Sequence, residues 1–284
     1  MNLVTVRTVA EVREHLSRAR RSGRTIGLVP TMGALHAGHI SLMEKARGQC
    51  DVLAVTIFVN PLQFGPSEDY QRYPRNLERD LEACDRAGVD VVFAPQFEAL
   101  YVSEQKIFIE ITKLADHLCG PYRPGHFRGV ATVVAKLFNV IQPDKAYFGE
   151  KDYQQLCIIR KMVEDLNLPI EIVPVATYRE PDGLALSSRN VYLKPAEREA
   201  APTLFRALSS ARKMVEDGEK DVGVIKESSA WILDAESHVR PEYFEIVDPS
   251  TLQPVTEIVG EVRIAAAIWI GKTRLIDNVA AVPR

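Results

Sequence analysis

Along the first two-thirds of the chain, short apolar runs alternate with stretches whose apolar residues recur every three or four positions. Thr25–Val29 is a short apolar run that stops at Pro30, and Asp51–Val59 is a β-branched run that stops at Asn60-Pro61. Val89–Ala94, Lys145–Phe148 and Ile170–Val175 repeat that texture. Apolar runs bounded by turn residues read as strands buried on both faces. Between them lie Ile40, Met43 and Ala46 within Gly38–Arg47, and the charged stretch Arg75–Ala87. The series Val130, Val133, Val134, Leu137, Phe138, Ile141 and the series Leu156, Ile159, Val163, Leu166 complete the set. These spacings predict helices. Alternation of this kind predicts an α/β domain with a parallel sheet and helices on both faces.

The texture changes around Tyr178–Asn190, where Arg-Glu-Pro-Asp-Gly is rich in turn residues. Two helical patterns follow, Ala196–Asp217 and Val222–Glu236. After them come β-like stretches at Tyr243–Val247, Val262–Gly271 and Arg274–Asp277. The expectation is a first domain over 1–177 and a smaller α+β domain over 178–284. No internal repeat is visible.

Composition narrows the function. The 284 residues carry 35 Lys+Arg against 38 Asp+Glu, a net charge of −3. That balance argues against a duplex nucleic-acid partner, so anion binding has to come from local clusters. Met1 to Arg21 is a charged amphipathic stretch without the apolar centre of a signal peptide. The longest apolar run, Ile264–Ile270, is too short to span a bilayer, so no membrane partner is expected. Cys50, Cys84, Cys119 and Cys157 form no CxxC pair, which predicts reduced thiols, a cytoplasmic location and no structural metal.

The strongest chemical signal is Pro30-Thr31-Met32-Gly33-Ala34-Leu35-His36-Ala37-Gly38-His39, between the first strand and the first long helix. Ligands of open α/β sheets bind at the carboxyl ends of strands, and a helix N-terminus there offers N–H groups and a positive dipole end. His36 and His39 are three apart and can project together. The reading is a triphosphate cradle at Met32, Gly33, Ala34, Leu35, His36, Ala37, Gly38 and His39; the bland alternative is a joint with two surface histidines. No GxxxxGK[ST] or GxGxxG is present. HxxH as a metal pair lacks a third ligand.

Other clusters are weaker alone. Phe148-Gly149-Glu150-Lys151-Asp152-Tyr153-Gln154-Gln155 again joins a strand to a helix, and Lys151 could meet phosphate as a point charge. Gly183-Leu184-Ala185-Leu186-Ser187-Ser188-Arg189-Asn190 offers two hydroxyls and a guanidinium. Taken alone, each reads more readily as a solvated turn. The amides near Asn60 and Gln63 suit a polar or carboxylate ligand, and Arg123–Gly129 is a basic loop before a helix. No spacing argues for a covalent nucleophile.

Taken together these motifs resemble the pantothenate synthetase (pantoate–β-alanine ligase) family along essentially the whole chain. The similarity rests on PTMGALHAGH at 30–39, IFVNPLQFG at 57–65, RPGHFRGV at 123–130, FGEKDYQQL at 148–156 and DGLALSSRN at 182–190. That family belongs to the HxGH nucleotidyltransferases. The resemblance implies a Rossmann-like N-terminal domain, a smaller C-terminal lid domain and a homodimer. It implies ATP contacts at Met32 to His39, at Gly149, Glu150, Lys151 and Asp152, at Tyr178 through its backbone, and at Leu186, Ser187, Ser188 and Arg189. It implies His39, His36 and Lys151 as catalytic residues, and Gln63 and Gln155 as the holders of pantoate, Gln63 also facing β-alanine. Asn60, Tyr73, Arg123 and His126 are second-rank pocket residues. The chain departs from the family between Ala99 and Leu118, where it looks shorter.

The implied reaction condenses pantoate with β-alanine to pantothenate at the expense of ATP, releasing AMP and pyrophosphate through a pantoyl adenylate. Mg²⁺ would arrive with ATP rather than as a bound protein metal. The partners are then small-molecule substrates. Two alternatives stay open at this point: another HxGH nucleotidyltransferase without the amide-forming step, and a nucleotide-sensing module without chemistry.

Overall fold

The structure, a computed structural model, describes residues 3–66 and 68–284. Met1 and Asn2 of the amphipathic N-terminal stretch therefore lie outside the described residues. The chain opens with β1 (Val4–Val6), α1 (Val9–Arg21), β2 (Ile26–Thr31) and α2 (Ala37–Arg47). β3 (Val52–Ile57), a 3-10 turn at Pro61–Gln63, α3 (Leu77–Arg86), β4 (Val91–Phe93) and the short α4 (Phe97–Leu100) follow. Next come α5 (Cys119–Tyr122), α6 (His126–Ile141), β5 (Lys145–Gly149), α7 (Tyr153–Asp165) and β6 (Glu171–Val175). The last third holds α8 (Pro195–Ala200), α9 (Thr203–Glu216), α10 (Val222–Asp234), β7 (Val239–Val247), β8 (Val262–Ile270) and β9 (Thr273–Ala281).

The chain divides into two compact units. The first is 1–111, 123–150 and 155–176; the second is 112–122, 151–154 and 177–284. A single cut after residue 177 therefore misses two short segments that cluster with the later sequence. Part of the reason is a side chain: buried Gln154 accepts the N–H of Cys119 and donates to the carbonyls of Leu114 and His117.

In the first unit six parallel strands are ordered β1-β4-β3-β2-β5-β6. The chain winds outward in one direction from β2 through β3 and β4, then returns to place β5 on the other side of β2. Such a switch point leaves a crevice outside the carboxyl ends of the two flanking strands. Here those ends are Thr31 and Gly149, so the residues that follow them are positioned by topology. The expected parallel α/β architecture is present. Val29, Leu53, Val55 and Val92 are fully buried and pack with Met43 and Ala46 of α2.

Several boundaries move for physical reasons. β2 runs on through Pro30 to Thr31, paired with Thr56 and Ile57 of β3, because its pairing with β5 covers only Gly27 and Leu28. Pro30 thus has a strand neighbour on one side only, where a missing N–H is tolerated. The N-terminal stretch forms β1 and α1: Thr8 and Glu11 make a reciprocal capping box, and Val12, Leu16 and Ala19 form the buried stripe. The helical pattern Ala196–Asp217 is two helices, α8 and α9, because Pro202 at the junction cannot donate the intrahelical bond.

The second unit carries the antiparallel sheet β7-β8-β9. Leu204, Ala207, Leu208, Ala211 and Val215 give α9 its apolar stripe, which packs with Ile264, Ala266, Ile268 and Ile270 of β8 in one buried cluster.

Candidate active site

The turn after β2 is built from its own side chains. Gly33 and Ala34 both have left-handed backbone, at φ 80° and 51°. Glycine takes that conformation without strain; alanine there has to be held. His36 is the N-cap of α2, and its Nδ1 accepts the N–H of Gly38 at 3.2 Å. The N–H of His36 donates to Nδ1 of His39 at 3.3 Å. An Nδ1 that accepts a hydrogen bond places the ring proton on Nε2. In the neutral form of each half-buried ring the proton then sits on Nε2, and the ring centroids lie 4.1 Å apart.

The motif alone predicts open N–H groups for a ligand at this helix N-terminus. The structure corrects that in part. Gly33 N–H donates to Thr31 Oγ1, Ala34 and Leu35 N–H to the Asp80 carboxylate, and His36 and Gly38 N–H to the two rings. His39 N–H goes to the His36 carbonyl. Most of the backbone donors between 32 and 39 already have acceptors within the turn or on Asp80.

Gln63 is nearly buried and closes the 3-10 turn after β3. Its Nε2 donates to Met32 Sδ at 3.0 Å, which brings together the two sequence motifs that follow β2 and β3. Its Oε1 accepts from Asn60 Nδ2 at 3.3 Å. Asn60 is buried and caps the turn; its Oδ1 accepts from Tyr101 Oη at 3.1 Å. Burial pushes the Tyr101 hydroxyl up to about 12, so it stays a donor. The Gln63 carbonyl is held from the other side, by His126 Nδ1 at 2.8 Å and Arg123 Nη2 at 3.4 Å. Arg123 in turn forms a two-pronged pair with Glu68, at 2.5 and 2.9 Å, and donates to His126 Nε2 at 3.0 Å. The basic loop Arg123–Gly129 thus fixes main chain beneath Gln63.

Gly149 ends β5, and Glu150 opens the next 3-10 turn, both half-buried. Gln155 stands half-buried in the first turn of α7. Tyr73 is buried against Phe64.

In the second unit, Lys151 is half-buried, its Nζ 3.8 Å from Asp152, and its carbonyl accepts from Asn278 Nδ2 at 2.9 Å. Ser187 caps a 3-10 turn over Ser188–Tyr192 by accepting the N–H of Arg189 at 3.3 Å, so its hydroxyl has a local task. The loop is stiffened at its base. Tyr178, itself exposed, accepts the N–H of Leu186 at its carbonyl. Arg179 grips buried Asp277 at 2.5 and 3.0 Å and the Gly183 carbonyl at 3.1 Å. Arg198 bridges Glu180 and Asp182, and that contact holds the Asp182 carboxyl below the usual range.

Sequence reasoning missed Asp80 and Tyr101. Asp80 sits in a charged amphipathic helix, where a carboxylate reads as solvated; that Asp80 and Cys84 form the inner face of α3 was the only available signal. No group of three or more His, Cys, Asp or Glu side chains able to hold a metal occurs among the described residues.

The sheet has its switch point at β2 and β5, and a paired-imidazole turn follows β2, which places the chain among α/β proteins with a candidate ligand site at the strand ends. The profile of the pantoate-beta-alanine ligase family matches residues 4–280, and the chain belongs to that family. It is 52% identical over 274 residues to pantothenate synthetase of Moorella thermoacetica, covering 96% of this chain and 97% of that protein. The crystal structure of pantothenate synthetase from Thermus thermophilus superposes with a TM-score of 0.94 at 48% identity, covering 99% of this chain and 100% of that one. The pantoate-beta-alanine ligase from Francisella tularensis, complexed with beta-gamma ATP and beta-alanine, gives a TM-score of 0.82 at 34% identity over 98% and 97% of the two chains. The chain is an enzyme that joins pantoate to β-alanine to make pantothenate.

Proposed function

We propose that this ligase works in two steps through a pantoyl adenylate. A carboxylate does not acylate an amine in water, because oxide is a poor leaving group. Attack of the pantoate carboxylate on the α-phosphorus of ATP expels pyrophosphate and makes AMP the leaving group. The β-alanine amine then attacks the acyl carbon and AMP departs. Charge develops on phosphate oxygens in the first step, and fixed donors stabilise it without reorganising.

The observation that carries this reading is the pair of imidazoles at the N-cap of α2, each accepting a main-chain N–H at Nδ1. His39 and His36 are the proposed donors to the phosphates, with Met32 to His39 lining ATP. Gly149, Glu150, Lys151, Asp152, Tyr178 and Leu186 to Arg189 are the proposed remaining nucleotide contacts, Lys151 and Arg189 supplying positive charge. Gln63 and Gln155 are the proposed pantoate ligands, Gln63 also serving β-alanine. The ATP and β-alanine bound by the Francisella tularensis ligase support both substrates. Mg²⁺ enters as MgATP. The family resemblance supports a homodimer. The four free cysteines suit a cytoplasmic location, and no described helix is long and apolar enough to cross a membrane.

The test is product analysis after mixing the protein with MgATP, pantoate and β-alanine. Pantothenate, AMP and pyrophosphate in equal amounts are expected. ADP and phosphate in their place would overturn the adenylate route.

A further inference from the structure

We propose that Asp80 is a positioning residue for the phosphate cradle: its buried carboxylate is the template on which the turn 33–35 is shaped. This deepens the proposed function and rests on it for the identity of the ligand. Asp80 is 3% exposed. Its Oδ1 accepts the N–H of Leu35 at 2.8 Å and its Oδ2 the N–H of Ala34 at 3.0 Å. A carboxylate accepting two adjacent N–H groups, one per oxygen, fixes the orientation of both peptides. Those peptides flank the alanine at φ 51° and follow the glycine at φ 80°.

The fit is close on every side. A Cβ on Gly33 would come within 2.8 Å of Asp80 Oδ2 and 3.1 Å of Ile57 Cγ2. Glycine at 33 is therefore required both by its backbone angle and by the carboxylate beside it. Asp80 is itself aimed from α3. Asn76 caps that helix through Arg79 N–H at 3.0 Å, and the Asp80 N–H closes the first turn onto the Asn76 carbonyl at 3.0 Å. The first turn of α3 thus sets the turn that leads into α2.

The chemistry explains why an acid sits beside a cradle for an anion. Burial favours the protonated acid and raises its pKa, and the two N–H bonds oppose that. A buried carboxylate with no cationic partner within bonding distance among the described residues is costly to keep ionised, so its position needs a compensating use. Satisfying the amides of Ala34 and Leu35 internally fixes the turn, and it holds His36 where its N–H meets His39 Nδ1.

Two variants test this. In Asp80→Asn one oxygen is replaced by a donor, so one of the two amides loses its acceptor at nearly constant volume. Asp80→Ala opens a space of carboxylate size that formate can enter. The first readout is independent of activity: amide hydrogen exchange at Ala34 and Leu35 should quicken at least tenfold in both variants, with core amides of β3 unchanged. The second is pantoate-dependent exchange of labelled pyrophosphate into ATP. It should fall about a hundredfold in rate, the loss expected when reacting groups are misplaced by about 1 Å, while the KM for pantoate stays within threefold. Formate, but not chloride at equal ionic strength, should restore at least a tenfold part of the loss in Asp80→Ala. Pyrophosphate exchange within threefold of wild type, or a loss shared equally by the pantoate KM, overturns the proposal. So does failure of both variants to fold, since Asp80 would then be holding the domain rather than the turn. If the wild-type protein makes no pantothenate, the two-step function falls, and the amide exchange at Ala34 and Leu35 still decides the role of Asp80.

Discussion

The main-chain N–H of His36 donates to Nδ1 of His39 at 3.3 Å, which in the neutral ring leaves the proton on Nε2. The donor is thereby fixed before any ligand arrives. Loss of one preorganised donor costs a factor of roughly 10²–10³ in turnover. His39→Ala should show a loss of that size with at most a small fall in melting temperature, since the ring is half-buried and only the His36 N–H loses its acceptor. His36→Ala should differ in one respect. Its Nδ1 caps α2, so the variant should also lose about 1 kcal/mol of stability, the usual value of an N-cap. Steady-state turnover and urea midpoints on both variants separate the two roles. Wild-type turnover in a folded His39→Ala protein would refute the assignment.

Gln63 is expected to read the acid. Gln63→Ala and Gln155→Ala should each raise the KM for pantoate far more than that for ATP, since a site that hydrogen-bonds its substrate suffers when a polar partner is left unpaired. Equal effects on both substrates would mean that the pantoate pocket lies elsewhere.

Gly129 supplies a different kind of test, because the first atoms a Cβ there would meet are all backbone. A Cβ there would lie 2.2 Å from the Leu62 carbonyl oxygen and 2.7 Å from Gln63 N. Backbone cannot swing aside as a side-chain tip can. Gly129→Ala should cost about 1–3 kcal/mol of stability, as overpacking does, and raise the pantoate KM by displacing the turn that carries Gln63. A variant with wild-type stability and KM would show that the turn yields freely.

The motifs of this fold were legible where local chemistry and topology agree. Continuous apolar runs marked β3 and β5, and a strand–turn–helix pattern marked the turn at 30–39. What was hidden depends on contacts between residues far apart in sequence. Nothing near Asp80 announces that it meets Ala34 and Leu35, 46 and 45 positions away. Gln154 ties residues 114–119 to its own segment through three bonds that no local pattern predicts. The amphipathic stretch 9–21 hid α1 because only Val12, Leu16 and Ala19 are buried, too few to stand out among its charges. The amides leading into α2 look open in the sequence, yet side chains three and 46 positions away take them up.

The order of chemistry makes a prediction that needs no variant. If the acyl adenylate forms first, the enzyme should exchange labelled pyrophosphate into ATP with MgATP and pantoate alone. The adenylate must be kept from water between the two steps, so little AMP should be released without the amine. Exchange that strictly requires β-alanine would instead favour a concerted reaction.

Tyr101 links the site to pH. Its hydroxyl donates to Asn60 Oδ1 at 3.1 Å, and that bond orients the Asn60 amide so that Nδ2 donates to Gln63 Oε1. Burial raises the hydroxyl to about 12. The unfolded chain would ionise it near ~10. A group whose folded pKa lies above its unfolded value stabilises fully below the unfolded pKa, and that contribution is lost as pH rises toward the folded one. The window is therefore pH ~10 to 12, and the amount at stake is on the order of 2 kcal/mol. Tyr101→Phe should cost about 1–2 kcal/mol at pH 8, since Asn60 Oδ1 loses its buried donor. It should also flatten the alkaline fall in stability and raise the pantoate KM at neutral pH. Urea midpoints for both proteins at pH 8, 10 and 11 provide the comparison, with tyrosinate absorbance reporting ionisation. Parallel loss of stability in wild type and Tyr101→Phe across that window would mean that Tyr101 does not govern it.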